Sequence, residues 1–260
     1  VYGNRIYFTD VNRGVVLRLG NDGLTPISEY GMHNYFNDTF KSITNDSGDY
    51  KLFGEYDVRF EEYILSIQGD ITSSLIKGVE GSSELTNPDA VKDTIAFSES
   101  KRKWTTFYSY VPEYMVTNNV GLVSFKDGNI YNHNENSLYN NFYGEQFTSK
   151  LRFLSNVSPS SIKVYNSIFL ESSHKWAMPS AINQFGQKTS LIVEDFVDDE
   201  GVFKSSFLKD ENTPNVTLPL IEGDDIRCHS LDVEIESSDV EAVKVFAVGI
   251  NLTESQLTNR

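Results

Sequence analysis

The apolar residues of this chain occur in short runs separated by turn-forming residues. Near the N-terminus, runs at 4–8, 15–19 and 24–27 alternate with segments rich in Asn, Asp and Gly. Aromatic and β-branched residues are frequent in these runs, and such residues pack well on a pleated, half-buried surface. At 244–248, apolar and mixed positions alternate, as in a strand with one buried face. The pattern predicts a succession of short β-strands.

Tight turns join several of these runs. Asp22-Gly23 separates the second run from the third, and Asp127-Gly128 separates 122–125 from 129–131. An Asp-Gly pair between two apolar runs is a strong hairpin signal, because both turn residues tolerate a positive φ. A looser turn at 198–201 predicts a further hairpin, with arms at 190–196 and 202–208.

Strand candidates also fill most of the remaining chain: 63–67, 94–97, 104–111, 150–154, 162–170, 231–235 and 243–250. The best helix candidate is 33–43, and helix is otherwise scarce. We therefore predict an all-β fold made of β-propeller-like blades of antiparallel strands, with a β-sandwich-like C-terminal part. A weak internal similarity supports blades, since the runs at 63–67 and 166–170 each precede a Ser/Glu turn and a tryptophan, Trp104 and Trp176.

Two regions are expected along the chain. Residues 1–150 form a propeller-like β region with a loop insertion at about 68–93, which is rich in Gly, Ser and Asn. Residues 151–260 form further β blades or a C-terminal β region, and the segment 155–159 marks the break between the two. The chain enters a strand pattern almost at once and does not start with Met, so we interpret it as a domain cut from a longer protein.

Charge restricts the classes of partner. The chain has 37 acidic and 22 basic residues, and its formal net charge is -15. Such a surface repels phosphate, which argues against a nucleic-acid-binding protein and against docking on anionic membranes. Solubility alone is an equally good explanation of the acidity. Apolar runs fall well short of the ~20 residues of a membrane helix, so no membrane anchor is expected.

No combination of residues specifies a reaction. Cys228 is the one cysteine, which excludes an internal disulfide and a thiolate zinc cage. The histidines have no metal-ligand spacing; they are His33, His133, His174 and His229. Carboxylates are so abundant that adjacent pairs arise by chance, and the acidic segment 195–200 is better explained as a hairpin tip than as a calcium loop. We therefore expect no enzyme, no cofactor and no metal.

One segment stands out as a candidate contact surface. Residues 139–144 combine three aromatic side chains, Tyr139, Phe142 and Tyr143, with two asparagines and a glycine. Exposed aromatic clusters often mark protein interfaces. The alternative is that these rings pack in the core.

Several segments taken together resemble a known family. They are 7–19, 21–28, 104–112, 124–134, 141–144, 194–210 and 222–227. In these segments the chain is similar to the tail stabilisation proteins of short-tailed bacteriophages, also called nozzle or muzzle proteins and related to tail tubular protein B. The resemblance is especially to those of crAss-like phages.

The resemblance implies a structural virion protein of the phage tail, made in the cytoplasm of the bacterial host. It implies a ring of copies of the chain, typically six, that contacts other tail and adaptor proteins. Such a nozzle or hub ring closes the DNA channel and releases the genome at infection, and genomic double-stranded DNA passes through without specific binding. Two other functions stay open: a carbohydrate-binding module, which an exposed Trp104 or Trp176 would favour, and a phage polysaccharide depolymerase, which needs two carboxylates across a groove.

Overall fold

The computed structural model describes residues 3–45, 50–69, 91–118 and 121–255. These residues form an all-β fold of several antiparallel sheets with two short α-helices. They divide into two compact units. The first is the described part of Val1–Ser137 together with Phe142–Glu145, and the second is the described part of Leu138–Asn141 together with Gln146–Arg260.

The first unit contains three sheets, each made of strands that follow one another along the chain. The first sheet has β1 (Ile6–Asp10), β2 (Val15–Gly20) and β3 (Gly23–Pro26), and the second has β4 (Tyr50–Asp57), β5 (Glu62–Gly69), β6 (Val91–Ser98) and β7 (Lys103–Tyr108). The third has β8 (Tyr114–Thr117), β9 (Leu122–Lys126) and β10 (Asn129–Asn132). Helix α1 (His33–Asn45) lies between β3 and β4 in the sequence.

The β4–β7 sheet is buried on both faces. Tyr63, Leu65 and Ile67 belong to a core cluster that also contains Phe36 and Phe40 of α1. Because alternate residues of a strand point to opposite faces, Ile64 belongs to a different cluster. That cluster contains Ala96, Tyr110, Met115 and Leu122, and Phe142 and Tyr143 pack against it. Two-sided burial explains why the sequence of β5 reads as a continuous apolar run instead of an alternating one.

The second unit has two sheets whose strand order departs from chain order. One contains β13 (Ser149–Ser155), β20 (Leu231–Ser237), β15 (Ala177–Asn183) and β16 (Lys188–Leu191), in that order. The other contains β17 (Val197–Asp199), β18 (Val202–Ser206), β14 (Lys163–Ser172) and β19 (Arg227–Cys228), and β21 (Val245–Glu254) also pairs with β14. The short helix α2 (Pro219–Glu222) precedes β19.

Both sheets of the second unit contribute to one apolar core, so this unit is a two-layered β-sandwich. Ile168 and Leu170 of β14 share that core with Val233 and Ile235 of β20 and with Met178 of β15. Trp176 is buried in it as well. The remaining strands, β11 (Asn141–Phe142) and β12 (Glu145–Gln146), form a small hairpin.

Most of the local predictions are confirmed. The helix expected at 33–43 is α1, and the hairpin at Asp127-Gly128 joins β9 to β10, with positive φ at both residues. The hairpin at 198–201 also exists, but its first arm was placed wrongly. That arm is β17 and not 190–196, where β16 ends and a 3-10 helix covers Val193–Asp195. The Asp195 side chain accepts a hydrogen bond from the Ile192 amide at 2.9 Å, which stabilises this turn.

The remaining predictions concern the insertion, the internal similarity and the overall fold class. Most of the insertion expected at 68–93 lies outside the described residues, although β5 continues to Gly69 and β6 starts at Val91. The two similar segments lie in different settings: 63–67 is in a sheet ordered as in the chain, whereas 166–170 is in a sandwich strand with non-sequential neighbours. The all-β class is confirmed, and neither a closed barrel nor a propeller is detected in the part of the chain that the structure describes.

Candidate assembly interfaces

The predicted aromatic segment forms the β11–β12 hairpin. Its two turn residues are Tyr143 and Gly144, with φ of 56° and 84°. Positive φ at both central residues is the signature of a type I′ turn, whose twist matches that of paired strands. Glycine tolerates this conformation without strain, whereas tyrosine adopts it only when other contacts hold it there.

Side-chain contacts hold Tyr143 in this conformation. Its hydroxyl lies 2.9 Å from Ser124 Oγ, which is fully buried and lies 2.7 Å from His133 Nε2. Its ring packs edge-on against Tyr131, with ring centres 4.7 Å apart. The Phe142 ring lies 4.9 Å from that of Tyr110. These two predicted interface residues are therefore packed within the first unit.

Burial makes this cluster uncharged. It raises the pKa of Tyr143 to about 12 and lowers the pKa of His133 to about 4. Tyr143 therefore stays protonated, and His133 stays neutral, at neutral pH. The cluster is therefore uncharged at neutral pH.

Tyr139 differs from the other two predicted residues, because 57% of its surface is exposed. Its backbone is nevertheless fixed. The Tyr139 amide donates to the Val240 carbonyl at 2.9 Å, and the Gln146 side chain donates to the Tyr139 carbonyl at 2.8 Å. An exposed ring on an ordered backbone loses little entropy when a partner covers it. Tyr139 therefore remains a candidate contact residue.

A larger apolar surface lies on the β1–β3 sheet. Cross-strand pairing aligns Ile6, Leu19 and Leu24 in one row. The neighbouring row on the same face consists of Phe8, Leu17 and Pro26. Four of the six are exposed, from Phe8 and Leu19 at 41% to Leu24 at 58%. We refer to these six residues as the N-terminal apolar face.

The opposite face of the same sheet is firmly attached to the first unit. Val16 is fully buried, and the Tyr7 ring stacks on Tyr63 with centres 4.3 Å apart. The Tyr7 hydroxyl donates to Glu99 at 2.6 Å, and Arg18 forms an ion pair with the same carboxylate at 2.9 Å. The N-terminal apolar face is therefore displayed on a fixed sheet, and contiguous exposed apolar surfaces of this kind mark interaction sites.

The sequence predicted these strands but not the exposed face. Alternation assigns residues to the two faces of a strand, yet β1 and β2 have apolar residues on both. A strand that is apolar on both faces is fully buried only when both faces pack against other parts of the protein. In this sheet, the described residues pack against one face and leave the other exposed. The three consecutive apolar residues from Ile6 to Phe8 were the available signal.

The candidate chemical groups occupy structural positions. His174 Nδ1 contacts Ser173 Oγ at 2.9 Å, and His229 Nδ1 contacts the Pro159 carbonyl at 3.1 Å. In the acidic segment, the Asp198 carboxylate accepts the Gly201 amide of the hairpin turn. No group of three or more His, Cys, Asp or Glu side chains within the described ranges is arranged to hold a metal ion.

The two tryptophans are packed. Trp176 is 5% exposed. Trp104 is half-buried between Phe36 and Phe97, and its indole N–H donates to the Ile27 carbonyl at 2.9 Å. A sugar-stacking platform needs an open ring face, so neither residue favours carbohydrate binding.

Comparison with known proteins gives one family match over part of the chain. Residues 137–210 match the model of the Crassvirus muzzle protein C-terminal domain. The matched segment begins shortly before the β11–β12 hairpin and extends through β18 into the loop that follows it. No curated protein matches the chain. Among the helices in the described ranges, none has the length and apolar character needed to span a bilayer. The match confirms, over residues 137–210, the resemblance to crAss-like phage muzzle proteins found in the sequence.

Proposed function

We propose that this phage tail structural protein forms the nozzle or hub ring of the virion, which closes the DNA channel and releases the genome at infection. The observation that carries the proposal is the match of residues 137–210 to the muzzle family. In this proposal the chain is made in the cytoplasm of the bacterial host. It then assembles with copies of itself, six in a ring, and with other tail and adaptor proteins.

The N-terminal apolar face supports self-assembly. Its exposed members, including Ile6 and Leu24, form a continuous apolar surface on a sheet whose other side is anchored. Subunit interfaces have apolar centres of this kind, surrounded by polar residues. Contact with a neighbouring copy would supply the cover that the described chain lacks, and Tyr139 is a second candidate contact.

Charge supports a channel that does not retain DNA. Acidic residues outnumber basic ones by 37 to 22, so the surface lacks the excess of Lys and Arg that neutralises phosphates. A wall that repels phosphate lets double-stranded DNA pass without specific binding.

The β4–β7 sheet supports a blade-like arrangement in the assembled ring. Its four antiparallel strands follow chain order, and both of its faces are covered. A propeller blade has the same topology and the same two-sided packing. In this proposal the first unit supplies blade-like sheets, and the sandwich of the second unit forms the C-terminal part.

Size-exclusion chromatography with light scattering, followed by negative-stain imaging, tests the ring. We expect a ring of about six copies with a central channel. A double variant of the apolar face, Phe8→Thr/Leu24→Thr, should assemble less readily than wild type. Ile130→Thr/Val197→Thr changes two exposed apolar strand residues elsewhere and is the matched control. A compact monomer for the wild-type protein would refute the ring.

An activity assay tests the structural assignment itself. The purified protein should release no reducing sugar from capsular polysaccharide. Release of sugar, lost on substitution of a carboxylate pair, would show a depolymerase instead.

A further inference from the structure

The β11–β12 hairpin is held closed mainly by its side chains. Each of its strands is two residues long, and a two-stranded hairpin by itself is marginally stable in water. The Phe142 ring lies 4.9 Å from the Tyr110 ring, and the Tyr143 ring lies 4.7 Å from the Tyr131 ring. These ring contacts with the first unit therefore decide whether the hairpin stays packed.

The turn of this hairpin is strained. Tyr143 has a φ of 56°, a conformation that a bulky side chain adopts only under constraint. The constraint comes from its ring packing and from its hydroxyl, which lies 2.9 Å from the buried Ser124 Oγ. If the hairpin left the first unit, Tyr143 could return to a negative φ. Backbone strain therefore favours release, and strained residues of this kind cluster at switch regions.

A titratable side chain lies in the same contact. His133 Nε2 is 2.7 Å from Ser124 Oγ, and the centre of the imidazole ring is 6.2 Å from that of Tyr143. The backbone of His133 is fixed, because its amide donates to the Leu122 carbonyl at 3.0 Å. A charged imidazole therefore gains water most easily when the short hairpin moves away.

The charged groups around this cluster do not offset a positive charge on His133, and burial is what lowers its pKa. The carboxylates that act on the neighbouring tyrosines are those of Asp57, Glu62 and Glu113. Asp57 accepts the Arg59 amide at 2.8 Å, and Glu62 accepts two side-chain hydroxyls. The Arg59 guanidinium donates to the Asn134 carbonyl at 2.8 Å and so places a positive charge beside the next residue of the chain. Burial raises the pKa of the two tyrosines that face the imidazole, and both stay protonated: Tyr110 and Tyr143.

We propose that the β11–β12 hairpin is an acid-sensitive latch, in which proton uptake by His133 releases Phe142 and Tyr143 from the first unit and exposes both rings. At neutral pH the imidazole is uncharged and the latch is closed. Acidification places a positive charge in a buried, largely aromatic setting, where it is poorly hydrated. Release hydrates that charge and relieves the strain at Tyr143, so the two effects act in the same direction. The inference concerns a single chain and does not rest on the proposed ring.

The size of the response follows from the two states of His133. Its pKa is about 4 in the packed state and about 6.5 for a solvated imidazole. A histidine whose pKa is lower in the packed state destabilises that state as the pH falls. Between pH 7.5 and pH 5, the equilibrium constant for release should therefore rise about 30-fold.

Hydrogen exchange followed by NMR tests the latch on the 260-residue chain. The Phe147 amide donates to the Asn140 carbonyl at 2.9 Å across the hairpin. Because the ladder of a released hairpin is marginal, the protection factor of this amide reports release. We expect this factor, corrected for the intrinsic pH dependence of exchange, to fall about 30-fold from pH 7.5 to pH 5. The amides of β5 should stay more strongly protected at both pH values, because their exchange needs a larger opening.

Two histidine variants complete the experiment. His133→Gln keeps a polar side chain beside Ser124 but gains no charge, so its Phe147 protection should be nearly independent of pH. His33→Gln changes an exposed histidine of the same unit and is the matched control, which should respond as wild type does.

Three results would each overturn the latch. The first is a wild-type change below about threefold. The second is a full response in His133→Gln, and the third is equal protection of Phe147 and β5 at pH 5, which would show that the unit unfolds as a whole. Circular dichroism melting checks the folding of both variants, and the wild-type comparison of Phe147 with β5 stands even if His133→Gln does not fold.

Discussion

Gly249 offers a sharp test of the packing of the second unit. It lies opposite Phe169 of β14, and the phenylalanine ring lies across it. A Cβ added to Gly249 would be 2.6 Å from Cε2 of that ring and closer still to Cζ and Cε1. Non-bonded carbon atoms pack at about 3.5–4.0 Å, so the ring would have to leave its position. We predict that Gly249→Ala destabilises the sandwich.

The size of the effect follows from two opposing contributions. Forcing extra volume into a packed site costs about 1–3 kcal/mol. Replacing glycine by alanine in a strand returns about 0.5–1 kcal/mol, because the unfolded chain loses freedom. The expected net loss is the difference between the two contributions, about 0–2.5 kcal/mol of unfolding free energy.

Urea unfolding of the Trp104→Phe variant, followed by tryptophan fluorescence, reports on the second unit alone. The chain has two tryptophans, and the remaining one, Trp176, is buried in the sandwich core. Its fluorescence then reports the unfolding of that unit. A double-mutant cycle with Phe169→Ala separates the steric clash from other effects of the substitution.

The cycle has a definite expected outcome. With Phe169 intact, Gly249→Ala should be destabilising. With Phe169→Ala, the clash is absent, and the same substitution should be neutral or stabilising. Equal effects of Gly249→Ala in the two backgrounds would refute the assignment of the glycine to ring packing.

Further predictions concern the first unit and the outer face of the sandwich. The pKa of His133 is lowered to about 4 in the folded protein, so the unfolded chain takes up this proton first as the pH falls. Stability should decrease from about pH 6.5 to pH 4, and His133→Gln should flatten that decrease in pH-dependent melts. Tyr143→Phe removes the hydroxyl contact with Ser124 and should lower stability by about 0.5–1.5 kcal/mol in urea unfolding. Arg152→Gln breaks the exposed pair with Asp232, so a loss in melts above about 1 kcal/mol would contradict its surface character.

Local turn chemistry was enough to predict the hairpins. Asp127 and Gly128 both adopt a positive φ, a conformation that glycine takes without strain and that aspartate tolerates better than most other residues. The helix at His33–Asn45 was also predictable, because Phe36 and Phe40, spaced by four residues, lie on one face. The misplaced arm at 190–196 shows the limit of this approach. Its apolar residues fit a strand, and the Asp195 carboxylate bound to the Ile192 amide made a turn instead.

The candidate interfaces were less predictable. The segment with Tyr139, Phe142 and Tyr143 was found from its aromatic residues, but the same residues fit a core as well as a surface. Contacts with residues distant in the sequence decided whether each ring lies in the core or on the surface. Phe142 packs against Tyr110 and Tyr143 packs against Tyr131, whereas Tyr139 stays exposed. The exposure of Ile6 and Leu24 likewise depends on how distant parts of the chain pack.

The sequence by itself determined the all-β class, the turns, the helix and the resemblance to muzzle proteins, because these depend on neighbouring residues or on similarity within short segments. Only the tertiary structure decided the strand order of the sandwich, in which β13 pairs with β20 some eighty residues away, as in the bond between Arg152 and Asp232. Periodicity tells which residues share a face, whereas the partner of that face is chosen by the packing of the whole chain.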